Sequence, residues 1–293
     1  MTNLNNHTMR IFLTGGTGFI GSHFINQSHD AGHEIIALRR SNESIPRIPL
    51  NQQPHWLNCQ LDEVTIDELI GCDVLLHLAA HSVNYPFDSL ANCFRWNVTA
   101  VLTLFEQARL AGIKNYVVAG TCSEYGRSGE RYKKIPTNAP LEPINTYAAS
   151  KAAASIALLQ WAEEFHLNLE ILRVFNLFGD GQNKLSFWPL LRNAAMAGED
   201  FLMTGGEQVR EFMSVEYASS IFLERATAPR VTPPTSRVFN LSNSNPISVR
   251  AFAEYWWDHW NAKGKLLIGA LPYRTGEVFH YEAGPVLLQC AKK

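Results

Sequence analysis

Tyr147 and Lys151 stand four residues apart in the alanine-rich stretch YAASKAAASIALLQWAEEF, residues 147–165. On a helix that spacing puts a phenol and an ammonium on one face. A free tyrosine ionises near pH ~10, too high for efficient proton exchange at neutrality, and both the ammonium and the helix N-terminus favour the phenolate. A second stretch, VVAGTCSEYG (residues 117–126), breaks an apolar run into Thr121, Cys122, Ser123, Glu124 and Tyr125, five potential donors, acceptors, nucleophiles or bases in a row. A third, LTGGTGFIG (residues 13–21), holds Gly15, Gly18 and Gly21 at a G-x-x-G-x-x-G spacing around Thr17, Phe19 and Ile20. Glycines so placed permit an unusual turn, close approach of backbone to a pyrophosphate and tight helix–strand packing, while the helix that follows offers free N–H groups to phosphate. Beyond such a cradle, a YxxxK pair reads as a hydride-transfer site, where the positive nicotinamide ring of an oxidised cofactor also favours phenolate. The next strand ends in ALRRS, and Arg39 and Arg40 replace the acid that commonly holds the adenosine ribose of NAD. Guanidinium groups there suit a 2′-phosphate, so NADP(H) is favoured over NAD(H).

These residues need a scaffold. Short apolar runs alternate with longer amphipathic stretches as far as residue 175, and the runs at 10–15, 34–38, 55–59, 73–79, 115–120 and 169–175 read as strands. Segments 90–111 and 147–165 read as the clearest helices. The pattern predicts an α/β fold, a doubly wound parallel sheet of Rossmann type with its crevice at the strand C-termini, followed by a smaller C-terminal substrate-binding portion. The expected division is residues 1–176 and 177–293, with parts of 212–242 rejoining the first sheet. Tyr255, Trp256, Trp257 and Trp260 sit at helical spacing and read as core. His29 and His33 straddle Gly32, where a helix should end, and are not expected to hold a metal.

Composition narrows the class of chemistry. A chain of 293 residues with 46% hydrophobic and 18% charged residues can build a sizeable core, and a net charge of −2 without a basic run gives no footprint for nucleic acid or membrane surface. Cys59, Cys72, Cys93, Cys122 and Cys290 are scattered and form no CxxC pair, which points away from disulfides and structural zinc and towards a reducing cytoplasm. The first nine residues lack an apolar leader segment. A small-molecule enzyme without a metal is the expectation.

The motifs TGGTGFIG, DVLLHLAAH (residues 73–81), WNVTAV (96–101), GTCSEYG, YAASK, RVFNLFG (173–179), TGGEQVREF (204–212) and YRTGE (273–277) run in an order that resembles the extended short-chain dehydrogenase/reductase family of nucleotide-sugar epimerases, dehydratases and reductases. The resemblance implies that Thr121 is the catalytic hydroxyl partner of Tyr147 and Lys151. It implies cofactor contacts from Leu78, Ala79 and Ala80, and an Asn97 that supports the lysine through backbone or water. Ser123, Asn176, His81 and Ser82 become candidates to contact the sugar, and Arg210 and Arg274 the diphosphate, which guanidinium forks grip well. It also implies a homodimer through segments 90–111 and 147–165. Gln60 and Leu61 stand where the family has an acid beside the adenine, and the family's terminal helix is expected to be short or absent here.

Residues 121–125 bear on the reaction. The family's 4,6-dehydratases resemble T-D-E or T-S-E, whereas here Ser123 takes the position of the glutamate and Glu124 falls one place later. An extended segment there would point Glu124 away from the site. The expectation is therefore an NADPH-dependent reduction of a nucleotide-linked 4-keto-6-deoxyhexose, with Tyr147 as acid. The alternative is an NAD-dependent nucleotide-sugar 4-epimerase; a 4,6-dehydratase or a non-catalytic NADP sensor ranks below both.

Overall fold

Residues 11–13, 35–38, 74–76 and 116–118 are buried throughout, so both faces of each run need a covering layer. Helices supply it on both sides. The computed structural model describes residues 8–229, 231–274 and 276–285. In chain order the first half holds β1 (Arg10–Thr14), α1 (Phe19–Asp30), β2 (Glu34–Arg39), β3 (His55–Asn58), α2 (Ile66–Leu69), β4 (Val74–His77), α3 (Leu90–Phe94), α4 (Ala100–Leu110), β5 (Asn115–Thr121), α5 (Thr146–Glu164) and β6 (Asn168–Val174). The second half holds β7 (Asn176–Phe178), α6 (Phe187–Ala197), β8 (Phe201–Met203), β9 (Val209–Ser214), α7 (Val215–Thr227), β10 (Ser236–Leu241), β11 (Pro246–Ser248), α8 (Val249–His259) and β12 (Leu266–Ile268).

Among the described residues, seven strands form one parallel sheet in the order β10-β6-β5-β4-β1-β2-β3. Alternate side chains feed two cores. Phe12, Ile36, Leu38, Leu75, Tyr116, Val118 and Ile171 pack with Leu104 and Phe105 of α4 and Leu158 of α5. Ile11, Leu13, Ile35, Val74, Leu76 and Leu172 pack with Phe24 and Ile25 of α1 and Ile221 and Phe222 of α7. The chain winds outward from β1 through β2 to β3, then returns to lay β4 on β1's other side, so the strand order reverses between β1 and β4. That is where a doubly wound sheet opens its crevice.

The strands end within a residue or two of their predicted limits, but segment 90–111 is not one continuous helix. Residues Arg95–Thr99 form a π turn between α3 and α4. The wider turn directs Asn97, only 3% exposed, into the protein. Residues after 176 divide between two places: α7 packs on α1 and β10 joins the large sheet beside β6, whereas β11-β9-β7 and β12-β8 form separate small sheets. Of the aromatic group on α8, Trp257 is buried but Tyr255 is 62% exposed, because neighbouring residues on a helix face different directions. Helix α1 ends at Asp30, and Gly32 takes φ +82° just beyond it. No helix among the described residues is long and apolar enough to cross a membrane. The end of the chain, including Cys290, lies outside the described residues, as does Thr275 of the YRTGE motif.

Asn240 stitches the returning strand to its surroundings. Fully buried, it accepts a hydrogen bond from Tyr125 Oη at 2.6 Å and donates to the carbonyls of Ile135 at 2.8 Å and Gly284 at 2.7 Å. An Asn240→Leu protein is expected to lose about 2–4 kcal/mol of stability, since the buried phenol loses its acceptor. Urea unfolding measures this, and an unchanged midpoint would show that the network contributes nothing.

Candidate active site

The turn after β1 is shaped by what cannot fit in it. Gly15 has φ +74°, and a Cβ there would lie 2.7 Å from both Leu78 C and Ala79 N, the backbone leaving β4. A Cβ on Gly21 would lie 2.1 Å from Gly15 O, and the Gly18 N–H donates to that same carbonyl at 2.8 Å. Thr17, Gly18, Phe19 and Ile20 remain partly exposed around the N-terminus of α1, with Leu78, Ala79 and Ala80 opposite. Backbone N–H groups and the helix dipole there suit a pyrophosphate, so these residues fit a dinucleotide. Thr14 Oγ1 braces the far side, accepting from the Ala79 N–H at 3.2 Å and lying 2.8 Å from His77 Nδ1.

At the adenosine end, Arg39 donates from Nε to Asn58 Oδ1 at 2.7 Å and from Nη2 to Asn42 Oδ1 at 2.6 Å, with its guanidinium 4.8 Å from the Trp56 ring centre. Arg40 is exposed. Gln60 caps a single 3₁₀ turn, Leu61–Glu63, its N–H donating to Glu63 Oε2 at 2.7 Å, while Leu61 packs against the core.

Thr121 ends β5, and Tyr147 and Lys151 lie one turn apart near the start of α5. The helix is capped by Asn145, whose Oδ1 accepts from the Ala148 N–H at 2.8 Å. The Thr121 hydroxyl acts on the Tyr147 phenol, and Glu124 ties the end of β5 to α5, so the three residues of YxxxK and GTCSEYG lie on neighbouring elements. The Asn97 side chain is bonded to residues around the YxxxK turn. Its Nδ2 donates to Ser150 Oγ at 2.9 Å and to His81 O at 3.1 Å, and its Oδ1 accepts from the His81 N–H at 2.7 Å. Ser150 Oγ in turn donates to Tyr147 O at 2.8 Å, so Asn97 holds the helix backbone beside the tyrosine.

The remaining candidates are distributed unequally. His81 Nε2 lies 2.8 Å from Asp88 Oδ2, and Ser82 Oγ accepts from the Asp88 N–H at 2.7 Å, which closes the loop after β4 on itself. That loop lays Phe87 parallel to Tyr147, with ring centres 6.3 Å apart. Ser123 is half-buried beside Thr121, its N–H donating to Thr121 Oγ1 at 3.2 Å. Asn176, on β7, carries a buried Oδ1 with no hydrogen-bond partner in the protein. Arg210 is engaged internally, donating to Val209 O at 2.8 Å, Val278 O at 2.6 Å and Glu277 Oε1 at 3.0 Å. Arg274 is exposed.

Residues 11–241 match the NAD dependent epimerase/dehydratase family. The chain belongs to that family. A dTDP-6-deoxy-L-talose 4-dehydrogenase (NAD(+)) from Aggregatibacter actinomycetemcomitans is 27% identical over 272 residues, which cover 91% of this chain and 96% of the relative. Among solved structures, a UDP-N-acetylglucosamine 4-epimerase from Methanobrevibacter ruminantium M1, in complex with UDP-N-acetylmuramic acid, superposes with a TM-score of 0.82 at 25% identity, covering 94% of this chain and 89% of that one. MoeE5, in complex with UDP-glucose and NAD, does so with a TM-score of 0.77 at 26% identity, covering 94% and 89%.

Within this member of the family, burial dominates the electrostatics. The Tyr147 phenol is pushed up from its ordinary pKa chiefly by burial, with further help from Glu124 and Cys122, against the opposing influence of the Thr121 hydroxyl. Among the protein's own groups, then, Tyr147 is held protonated, contrary to the phenolate that its spacing from Lys151 suggests. Burial also lowers the Lys151 ammonium, and the Glu124 charge opposes that shift. His77 is lowered to about 3 by burial and by Lys151, so it is neutral. The Cys122 thiol rises to about 12, which makes it a poor nucleophile. Glu124 does not lie on an extended segment, since Cys122–Glu124 form a 3₁₀ turn capped by Thr121.

A Gly15→Ala protein is expected to fold yet bind the nicotinamide cofactor about ten-fold or more weakly, because a side chain at that φ forces the β1 and β4 turns apart. Fluorescence titration with circular dichroism as a control measures it. Unchanged affinity would place the dinucleotide elsewhere.

Proposed function

We propose that this protein is an NADPH-dependent reductase of the 4-keto group of a nucleotide-linked 4-keto-6-deoxyhexose. The observation that carries this reading is the buried Tyr147, on α5 beside the end of β5 that carries Thr121: burial favours the protonated phenol, an acid holding the proton that a reduced carbonyl must receive. Bound in the Gly15–Gly21 cradle, the cofactor supplies hydride to the sugar C4. Tyr147 Oη then donates its proton to the C4 oxygen, which the Thr121 hydroxyl holds in place. Lys151 keeps a positive charge beneath the phenolate that remains. Asn97 and Ser150 fix the backbone of this turn. His81, Ser82, Ser123 and Asn176 are assigned to the sugar side, and Arg210 and Arg274 to the diphosphate.

Support also comes from the acids. Elimination across C5 and C6 needs an acid and a base beside those carbons, but Ser123 cannot serve readily at neutral pH and both oxygens of the Glu124 carboxylate are already bonded. The name of the talose 4-dehydrogenase describes redox chemistry at C4 of a 6-deoxyhexose. That name specifies NAD(+), so the preference for NADPH rests on Arg39 and Arg40 alone. Asn58 and Asn42 occupy Nε and one Nη2 donor of Arg39, leaving part of its fork for a 2′-phosphate. A UDP-sugar-type 4-epimerase is the second reading, favoured by the likeness to the Methanobrevibacter ruminantium M1 4-epimerase, since the same triad would suit either reaction. We also propose a homodimer through α3–α4 and α5, whose outer faces leave Leu90 51%, Leu110 51% and Ile156 61% exposed.

Two measurements test the reading. Purified protein offered a panel of nucleotide 4-keto-6-deoxyhexoses is expected to oxidise NADPH stoichiometrically, and to leave the parent nucleotide hexoses unchanged. A 4-keto product from a hexose would indicate a dehydratase, and a C4 epimer the second reading. In direct titration NADPH should bind more tightly than NADH by about 1.5–3 kcal/mol; equal affinity rejects the role given to Arg39 and Arg40.

A further inference from the structure

Glu124 takes no part in the proton and hydride transfers described above, yet none of its side chain is exposed. A carboxylate in such a place is strongly disfavoured unless paired and hydrogen-bonded. Here three elements satisfy it. The Thr121 N–H, at the end of β5, donates to Oε1 at 2.8 Å; the Ser155 hydroxyl of α5 donates to Oε2 at 2.9 Å; and Arg173 Nε, on β6, donates to Oε2 at 2.8 Å. Arg173 is itself fixed, donating from Nη1 to Thr137 O at 2.8 Å, with its guanidinium 4.6 Å from the Tyr125 ring centre. Ser155 follows Lys151 by four residues and Tyr147 by eight, so all three share one stripe of α5. The carboxylate thus joins the strand end that carries Thr121 to the helix face that carries Tyr147 and Lys151.

We propose that Glu124 is a positioning residue for the reaction: its carboxylate sets Thr121 against the Tyr147–Lys151 face of α5 and keeps a negative charge beside that pair. The inference rests on the reading of Tyr147, Lys151 and Thr121 as the catalytic group. A salt bridge that served the fold alone would leave kcat unchanged when the carboxylate is kept but its reach shortened, so kcat separates the two cases; the charge itself is felt by the groups around the phenol. Cys122 and Glu124 face it from the turn after β5, Lys151 lies on its own helix, His77 faces Lys151 from β4, and Arg173 stands behind Glu124 on β6. The negative charge of Glu124 favours the protonated form of both phenol and ammonium. Removing it makes Tyr147 ionise at lower pH, and the unpaired Arg173 pushes in the same direction.

The experiment is the pH dependence of kcat and KM for NADPH-dependent reduction in three variants. Glu124→Gln keeps the shape and removes the charge. Reduction requires protonated Tyr147, so the basic limb of its profile should begin at lower pH than in the wild-type protein. Glu124→Asp keeps the charge and shortens the reach; kcat should fall about ten-fold or more with KM near the wild-type value and the basic limb unmoved. Ser155→Ala cuts the link to α5 alone, with a smaller fall in kcat. A Glu124→Gln protein that binds cofactor normally and keeps both the wild-type limb and the wild-type kcat overturns the proposal. If that variant fails to fold, wild-type kcat in both Glu124→Asp and Ser155→Ala overturns it instead. Tyr147→Phe separates this inference from the reading beneath it: full turnover there refutes the catalytic assignment, whereas an inactive Tyr147→Phe beside wild-type Glu124 variants refutes only the positioning role.

Discussion

The site depends on one close approach. Gly15 can carry no side chain because the backbone of Leu78 and Ala79 stands where its Cβ would go. That contact sits where the chain reverses its strand order, between β1 and β4, and it aligns two strand ends so that one opens into the N-terminus of α1 and the other into the loop before Asn97. Thr14 and His77 reinforce the same junction from inside, through the hydroxyl–imidazole contact and the Thr14 bond to Ala79. The neutrality of His77 matters, since a second cation beside buried Lys151 would be costly. Sheet topology and phosphate cradle therefore meet at adjacent strands, and the neutral His77 of β4 faces the charge of Lys151.

Catalytic character then follows from a contest between burial and charge. Lys151 alone favours phenolate, but Tyr147 and Lys151 are both buried, and desolvation penalises the charged form of each. Glu124 adds a negative charge that favours protonation of both. The outcome is a buried, neutral phenol on which the Thr121 hydroxyl acts. A positive nicotinamide ring shifts the balance towards phenolate, which is the state needed for the reverse oxidation. On the proposed reading, one constellation would serve either direction of a redox step at a sugar carbon, with the cofactor's oxidation state selecting between them.

What could be read from the sequence was local. Gly15, Gly18 and Gly21 follow a strand and open a helix, and Tyr147 and Lys151 share a helix face, so their spacing alone carried the geometry. Thr121 was reached through resemblance rather than spacing. Interactions between distant segments were not legible. The π turn that directs Asn97 inward leaves no mark in an otherwise helical pattern, and its partner Ser150 lies 53 residues away. The pairing of Arg210 with Glu277, 67 residues later, likewise leaves no mark in the sequence. Glu124 looked as though it faced away because an extended strand was assumed to continue; the 3₁₀ turn after Thr121 and the ion pair with Arg173, 49 residues on, decide its direction. Phe87 carried no signal at all, since only the fold of its loop lays it beside Tyr147.

The central claim is that hydride leaves the cofactor for good and arrives at the sugar C4, with Tyr147 providing the proton. Following a single turnover by mass spectrometry, with NADPH deuterated at both C4 positions of its nicotinamide and a nucleotide 4-keto-6-deoxyhexose, tests it most directly. The account predicts one deuterium at the sugar C4 and one oxidised cofactor for each product molecule. A product that carries no deuterium there, or a C4 epimer formed while the cofactor returns to its starting state, would contradict it.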